Sequence, residues 1–275
     1  MTPFLSAAEL RERQDAGEPI VLADCRWYLD GRSGRDAYRA GHLPGAVFVD
    51  IDTDLAGPAD PGTGRHPLPA PEAFAAALGR LGITADDTVV AYDDAGGVMA
   101  ARLVWMLRAI GVASALLDGG LAAWDGELST DEVDRTPTTF RPQPWPADLL
   151  ADIDDAADPA NLVVDARPAE RFAGEGPDLD PRSGHIPGAV SVPCRENVGG
   201  DQRLLAADAL RDRFASVGVT PDRVAAGEVV SSCGSGVTAC HNLLTIEALG
   251  LGRARLYPGS WSQYAATDRP LATGR

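Results

Sequence analysis

The sequence predicts an α/β protein of two similar domains, each a parallel sheet flanked by helices. Three observations carry this reading. The chain repeats its own motifs at a constant offset, strand-like and helix-like segments alternate inside each repeat, and a proline-rich stretch separates the copies.

The repeat comes first because it sets the domain count. IVLADCR (20–26) returns as LVVDAR (162–167), and GHLPGAVFVD (41–50) as GHIPGAVSVP (184–193). TVVAYDDAGGVMAAR (88–102) returns as EVVSSCGSGVTACH (228–241), and LLDGGLAAW (116–124) as LYPGSWSQY (256–264). An offset of about 140 residues throughout marks one duplicated domain, not a short-period solenoid.

The elements follow from periodicity. Ser6, with Glu9 three residues on, reads as the start of a first helix. In the second copy NLVVDAR, GAVSVP and GEVVSS are short apolar, β-branched runs expected as buried strands, and RARLYPGS ends with another strand and a turn. LAADALRDRFASVGV has helical spacing at Leu205, Leu210 and Phe214, and VTACHNLLTIEALG reads as a helix of about four turns closed by Gly250 and Gly252. Strands alternating with helices give a parallel sheet covered on both faces. Pro137, Pro142, Pro144 and Pro146 remove backbone donors and fix φ, so 127–147 is expected as an extended linker. The expected domains are 1–126 and 148–275.

Composition narrows the function. An apolar share of 45% and a charged share of 23% are those of an ordinary globular protein. The net charge of −16 repels phosphate backbones, so no nucleic-acid partner is expected, and any anionic ligand must be held by local arginines. No run of about 18 apolar residues occurs, and MTPFLSAAELRERQDAG lacks a signal-peptide pattern, so neither a membrane partner nor secretion is expected. Cys25, Cys194, Cys233 and Cys240 form no CxxC pair and the four histidines do not cluster with them. The expectation is free thiols, a cytoplasmic location, and neither metal nor cofactor.

The most informative stretch is GEVVSSCGSGVTAC, 227–240. It places Cys233 at the carboxyl tip of a strand, where open α/β sheets keep their ligand sites. Gly234–Ser235–Gly236 can turn sharply, and its N–H groups, with those of the following helix start near Val237, can cradle an anion. A Cys233 thiolate or persulfide there is stabilised without a neighbouring base. A Gly-rich turn holding an inert buried cysteine is the plain alternative. A dinucleotide fingerprint is disfavoured because the next strand ends in Tyr257 and Pro258 with no acid. Cysteine-phosphatase chemistry needs an arginine where Ala239 stands.

CGSGVTA (233–239) resembles the active-site loop of the 3-mercaptopyruvate sulfurtransferases of the rhodanese superfamily. YRAGHLPGA (38–46) and GHIPGA (184–189) resemble its first signature, and YPGSW (257–261) its C-terminal one. The resemblance spans nearly the whole chain and implies two tandem rhodanese-like domains of which only the second is catalytic, with Asp94 at the position of Cys233 in the first. It implies that the Cys233 thiolate takes sulfur from 3-mercaptopyruvate, releases pyruvate, and passes the persulfide sulfur to a small thiol, a thioredoxin-like protein or cyanide. A neutral Gly234–Ser235 loop suits mercaptopyruvate better than thiosulfate; a thiosulfate sulfurtransferase and a non-catalytic binding module are the alternatives. The resemblance also implies that Ser235 assists proton movement, with His66 and Asp52 beside it. It implies that Gly234, Gly236, Val237 and Thr238 line the substrate, and that Arg171 grips the donor. The second family arginine falls in a loop of different length, where Arg182 is the candidate. His42 and His185 lie in turns present in both copies and are expected to be structural.

Overall fold

A computed structural model describes residues 1–175 and 179–274. The chain forms two compact units, Met1–Gly57 with Pro69–Trp145 and Gly199–Leu204, and Pro58–Leu68 with Pro146–Val198 and Leu205–Arg275. Two short segments are thus grouped across a linear division of the sequence, and 58–68 is the one that matters for the site.

In the first unit, β1 (Phe4–Leu5), α1 (Ala7–Asp15), β2 (Ile20–Asp24), α2 (Gly34–Ala40), β3 (Val47–Phe48), α3 (Pro71–Arg80), β4 (Thr88–Tyr92), α4 (Ala101–Ala109) and β5 (Ser114–Leu117) follow in order. The sheet runs β1-β5-β4-β2-β3, all parallel. The Ser6–Glu9 capping box forms as expected, and its hydrogen bonds hold the Glu9 carboxyl below the usual range. Residues 127–145 run extended along this unit: Ser129 bridges to His42, Thr138 N donates to Gly79 O (2.8 Å), and Phe140 is buried.

The second unit contains α5 (Ile153–Ala157), β6 (Leu162–Asp165), α6 (Ala169–Ala173), β7 (Val190–Ser191), α7 (Ala207–Ser216), α8 (Pro221–Ala225), β8 (Val229–Ser232), α9 (Ala239–Ala248), β9 (Arg255–Leu256) and α10 (Ser260–Tyr264). Its sheet runs β7-β6-β8-β9, again parallel. β6 and β8 are buried along their whole length, as parallel strands covered on both faces must be. Val163, Val230, Tyr257, Trp261 and Tyr264 form the core beside the β8 tip. The α9 helix is 10 residues long and starts at Ala239, later and shorter than the spacing suggests. Gly236, at φ +81°, holds the preceding residues in a loop.

The two units brace the tips of β2 and β6 alike. Asp24 pairs with Arg26 and Asp165 with Arg167, each arginine also donating to the glycine carbonyl (Gly41, Gly184) of the GH turn at 2.7 Å. His42 and His185 stack on Tyr38 and Phe172 at 3.8 and 3.7 Å, which gives them the expected structural role.

The copies diverge at one point, and there the counterpart of Cys233 is Asp93, not Asp94. Cys25 N donates to Tyr92 O as Ala166 N donates to Ser232 O, so the residues after Tyr92 and Ser232 are equivalent. The first-copy loop is one residue longer, which displaces a register counted back from the helix. Asp94 instead accepts from Tyr28 Oη at 2.6 Å; burial, then this bond, push the Tyr28 hydroxyl up to about 12. The fully buried Asp93 carboxylate accepts from Ala95 N and Gly97 N (2.8 and 2.7 Å) and from Met99 N and Ala100 N (2.7 and 3.0 Å). Burial pushes its carboxyl up while the four N–H bonds pull it down. Asp93→Ala strips four donors, three of them buried, of their acceptor and is expected to cost about 2–4 kcal/mol of stability, read as a lowered Tm. An unchanged Tm would mean that water replaces the carboxylate at no cost.

Candidate active site

Cys233 follows the last residue of β8, and three contacts from the 257–263 turn fix it. Its N–H donates to Ser260 Oγ (3.1 Å), its carbonyl accepts from Trp261 N (3.0 Å), and the Gly234 carbonyl accepts from Ser262 N (2.9 Å). Ser260 adopts φ +50°, a left-handed conformation that is costly for a serine. Its hydroxyl donates in turn to Tyr257 O at 2.8 Å, so the strain sits where the loop is anchored. Gly236 must be glycine, since a methyl group there would come within 2.4 Å of Pro258 O.

The loop encloses the sulfur. Gly236 N donates to Cys233 Sγ at 3.1 Å, and the N–H groups of Val237 and Thr238 come next, at the amino end of α9. Cys233 is 2% exposed, which keeps bulk water from the sulfur. Cys194 lies close enough to feel a charge on Cys233. Burial, then that neighbour, push the Cys194 thiol up to about 12, so it stays protonated. Cys240 donates from Sγ to Gly236 O at 3.4 Å. All four cysteines are free and buried.

His66 and Ser235 are brought together. His66 Nδ1 and Ser235 Oγ are hydrogen bonded at 2.7 Å, either being able to donate according to the histidine tautomer. The 58–68 segment achieves this with a tight turn in which Thr63 N and Gly64 N donate to Asp60 O (3.0 and 2.7 Å). Gly64, at φ +92°, lies so close to Gly259 that a methyl group would come within 2.6 Å of its carbonyl. Arg65 N then donates to Ser262 Oγ at 3.0 Å.

This anchoring carries Arg65 to the loop, a residue the sequence reading passes over. A methyl group on Gly234 would lie 3.2 Å from Arg65 Nη2 and 3.6 Å from Arg171 Nη1. Both guanidinium groups pair with Asp180, Arg65 through Nη1 and Arg171 through Nη2 at 3.4 Å. Arg171 therefore reaches the loop from α6, as expected. Arg182 is not among the groups brought to Gly234. Its Nε, Nη1 and Nη2 donate to the carbonyls of Ala265, Arg269 and Tyr264 (3.1, 3.0 and 3.3 Å). The physical reason is the chain end of α10, where the Tyr264 and Ala265 carbonyls need donors, and the Arg269 carbonyl just beyond it; together they take the whole fork. Asp52 belongs to the first unit, where its carboxylate accepts from Trp27 Nε1 at 3.0 Å. Among the described residues no helix is long and apolar enough to cross a membrane.

The profile of the rhodanese-like domain matches residues 6–127 and again 146–267. A Pseudomonas aeruginosa protein with the provisional name 3-mercaptopyruvate sulfurtransferase is 42% identical, over 98% of this chain and 98% of its own. A Mycobacterium tuberculosis protein, provisionally named thiosulfate sulfurtransferase SseB, is 37% identical over 98% of this chain and 97% of its own. The crystal structure of SseA from Escherichia coli, described under 3-mercaptopyruvate sulfotransferases with a "Rhodanese" fold, superposes with a TM-score of 0.80 at 35% identity. It covers 95% of this chain and 99% of its own.

Proposed function

The chain belongs to the rhodanese-like domain family, as two copies of that domain, and from this we propose that it is a sulfurtransferase carrying sulfur on Cys233 from 3-mercaptopyruvate to a thiol or cyanide. The observation that carries the reading is the Cys233 sulfur at a strand tip, accepting the Gly236 N–H inside a loop whose next donors open a helix. The Asp93 carboxylate, bound by four N–H groups in the equivalent loop, supports the view that this turn is shaped for an anion.

The Cys233 thiolate attacks the donor sulfur, an S–S bond forms, the C–S bond breaks, and its electron pair leaves on carbon as the enolate of pyruvate. The donor's S–H proton must then pass to that carbon. Ser235, hydrogen bonded to His66, is the proposed carrier, giving and regaining a proton while His66 holds it in register. Asp52 keeps, from the sequence resemblance alone, its proposed part in the same relay. Gly234, Gly236, Val237 and Thr238 wrap the sulfur, and Arg171 meets the donor carboxylate. In the second step an acceptor thiolate or cyanide attacks the outer sulfur and the Cys233 thiolate leaves. A thiol acceptor and free cysteines fit a reducing compartment, and we place the enzyme in the cytoplasm.

Mass spectrometry tests the reading. After exposure to 3-mercaptopyruvate without acceptor, the Cys233 peptide should gain one sulfur atom and pyruvate should appear in equal amount. Absence of both would refute it. Donor preference is tested at Arg171. Mercaptopyruvate presents a planar carboxylate beside a ketone, a match for a guanidinium fork. Thiosulfate is compact and can rest on backbone donors. Arg171→Ala is expected to lower kcat/KM for mercaptopyruvate about ten- to a hundredfold, from a charge-assisted bond of about 1.5–3 kcal/mol. Thiosulfate use should fall far less. Equal losses would mean that Arg171 serves the loop and not the donor.

A further inference from the structure

We propose that the Ser260 hydroxyl is a spacer that holds Cys233 away from β9 and so sets the sulfur against the Gly236 N–H. Ser260 is then a positioning residue that acts through Cys233. This rests on the sulfurtransferase reading and adds to it a residue whose part in the reaction the sequence does not show.

The geometry comes from the ladder between β8 and β9. Ser231 is paired with Leu256, and Tyr257 N donates to Ser231 O at 3.0 Å. In a parallel ladder every second residue of a strand bonds the same neighbour, so the next rung would run from Cys233 N to Tyr257 O. The Ser260 hydroxyl stands in that rung. It accepts from Cys233 N at 3.1 Å and donates to Tyr257 O at 2.8 Å. Both backbone groups are satisfied, and one oxygen atom keeps them apart. On the other side of the residue, Cys233 Sγ accepts from Gly236 N at 3.1 Å. Gly236 is packed against Pro258 in the same turn, so a shift of Cys233 toward Tyr257 would change its distance from that N–H.

The backbone of Ser260 bears a cost for this placement. Its φ is +50°, and the residue is fully buried. The first unit shows that the turn itself does not call for a serine. Gly120 stands at the equivalent place with φ +55°, and Leu121 N donates to Asp93 O (2.8 Å) as Trp261 N donates to Cys233 O (3.0 Å). A methyl group on Gly120 would come within 2.3 Å of Asp93 O, so that turn has no room for a side chain. Glycine makes the turn without strain; what serine adds is the hydroxyl, and it is found in the unit that carries the nucleophile.

The test compares Ser260→Gly with Ser260→Ala. Both lose the hydroxyl, and only alanine keeps a β-carbon at positive φ. In each, Cys233 N is expected to close on Tyr257 O and draw the sulfur from Gly236 N. With 3-mercaptopyruvate, kcat should fall about a hundredfold in both, the scale of a misplacement of about 1 Å, with KM little changed. Tm should hold in Ser260→Gly and drop in Ser260→Ala. Wild-type kcat in Ser260→Gly overturns the proposal. A Tm lost along with kcat in Ser260→Gly also overturns it, by making the hydroxyl a support of the fold. A crystal structure of Ser260→Gly reads the placement directly: Cys233 N bonded to Tyr257 O supports the spacer, and an unmoved Cys233 overturns it. Alkylation of Cys233 by iodoacetamide at fixed pH needs no sulfur donor. It should be about tenfold slower in Ser260→Gly than in the wild type, and an equal rate overturns the spacer. A wild type that uses no donor would defeat the sulfurtransferase reading alone, and alkylation would still decide the spacer.

Discussion

Cys233→Ser is expected to abolish sulfur transfer from either donor, lowering turnover by about four orders of magnitude or more, while the protein stays folded. The loss follows from the element and not from the shape. A serine oxygen fits the same loop and can accept the Gly236 N–H in place of sulfur. It is not ionised near neutral pH, and it cannot hold a sulfane sulfur as a persulfide can. The backbone contacts that shape the loop, Trp261 N to Cys233 O and Ser262 N to Gly234 O, do not involve the side chain and should persist. Donor turnover, the mass of the 233 peptide and the thermal unfolding curve together check the result. Retained turnover in a folded Cys233→Ser protein would remove the central assignment. Serine at Cys25, Cys194 or Cys240 should cost far less, since burial holds Cys25 and Cys194 in the protonated form and the Cys240 thiol donates to the Gly236 carbonyl.

The second large effect concerns the proton. His66→Ala is expected to lower kcat with 3-mercaptopyruvate about a hundredfold, the lower range for loss of a general acid–base group. Ser235→Ala should do the same, and the double variant should lose little more, because the two atoms bonded at 2.7 Å act as one relay. Thiosulfate separates chemistry from structure. Its leaving group is sulfite, which departs with the electron pair of the broken S–S bond and needs no proton on carbon. Both variants should therefore keep most of their thiosulfate activity. A loss of equal size with the two donors would make His66 and Ser235 supports of the loop, and the relay would have to be sought elsewhere.

How much of this could be read in the sequence depended on range. Cys233 and its cradle were legible because strand, turn and helix start lie within fourteen consecutive residues, GEVVSSCGSGVTAC. Arg171 was legible because it sits on a short helix directly after β6. The equivalence of Asp93 with Cys233 was not, because one extra loop residue makes a count from the helix disagree with a count from the strand. Only the sheet register decides between them. Arg182 has surroundings in sequence that suggest the site, while the carbonyls of Tyr264, Ala265 and Arg269 that take its fork lie more than eighty residues away. Arg65 and Asp180 were illegible for the converse reason. Each is an ordinary charged residue in a connector, and they pair across more than a hundred residues of sequence, Arg65 being held in place by the turn in which Gly64 presses against Gly259. The left-handed Ser260 carries no signal at all; its place in YPGSW marks the segment but not the conformation.

The carboxylate of Asp93 has a meaning for descent as well as for folding. A gene duplication leaves two loops, and one of them can lose its nucleophile without loss of activity. It does not thereby become free to drift. The turn still presents four inward N–H groups in a buried place, and each needs an acceptor whether or not any substrate arrives. An apolar replacement at that position would leave the donors unmet, and the folding of the first copy would suffer. The acid answers that need from within the chain. The first copy thus carries a tethered acid where the second presents a sulfur, and the two turns answer the same demand for an acceptor with different side chains.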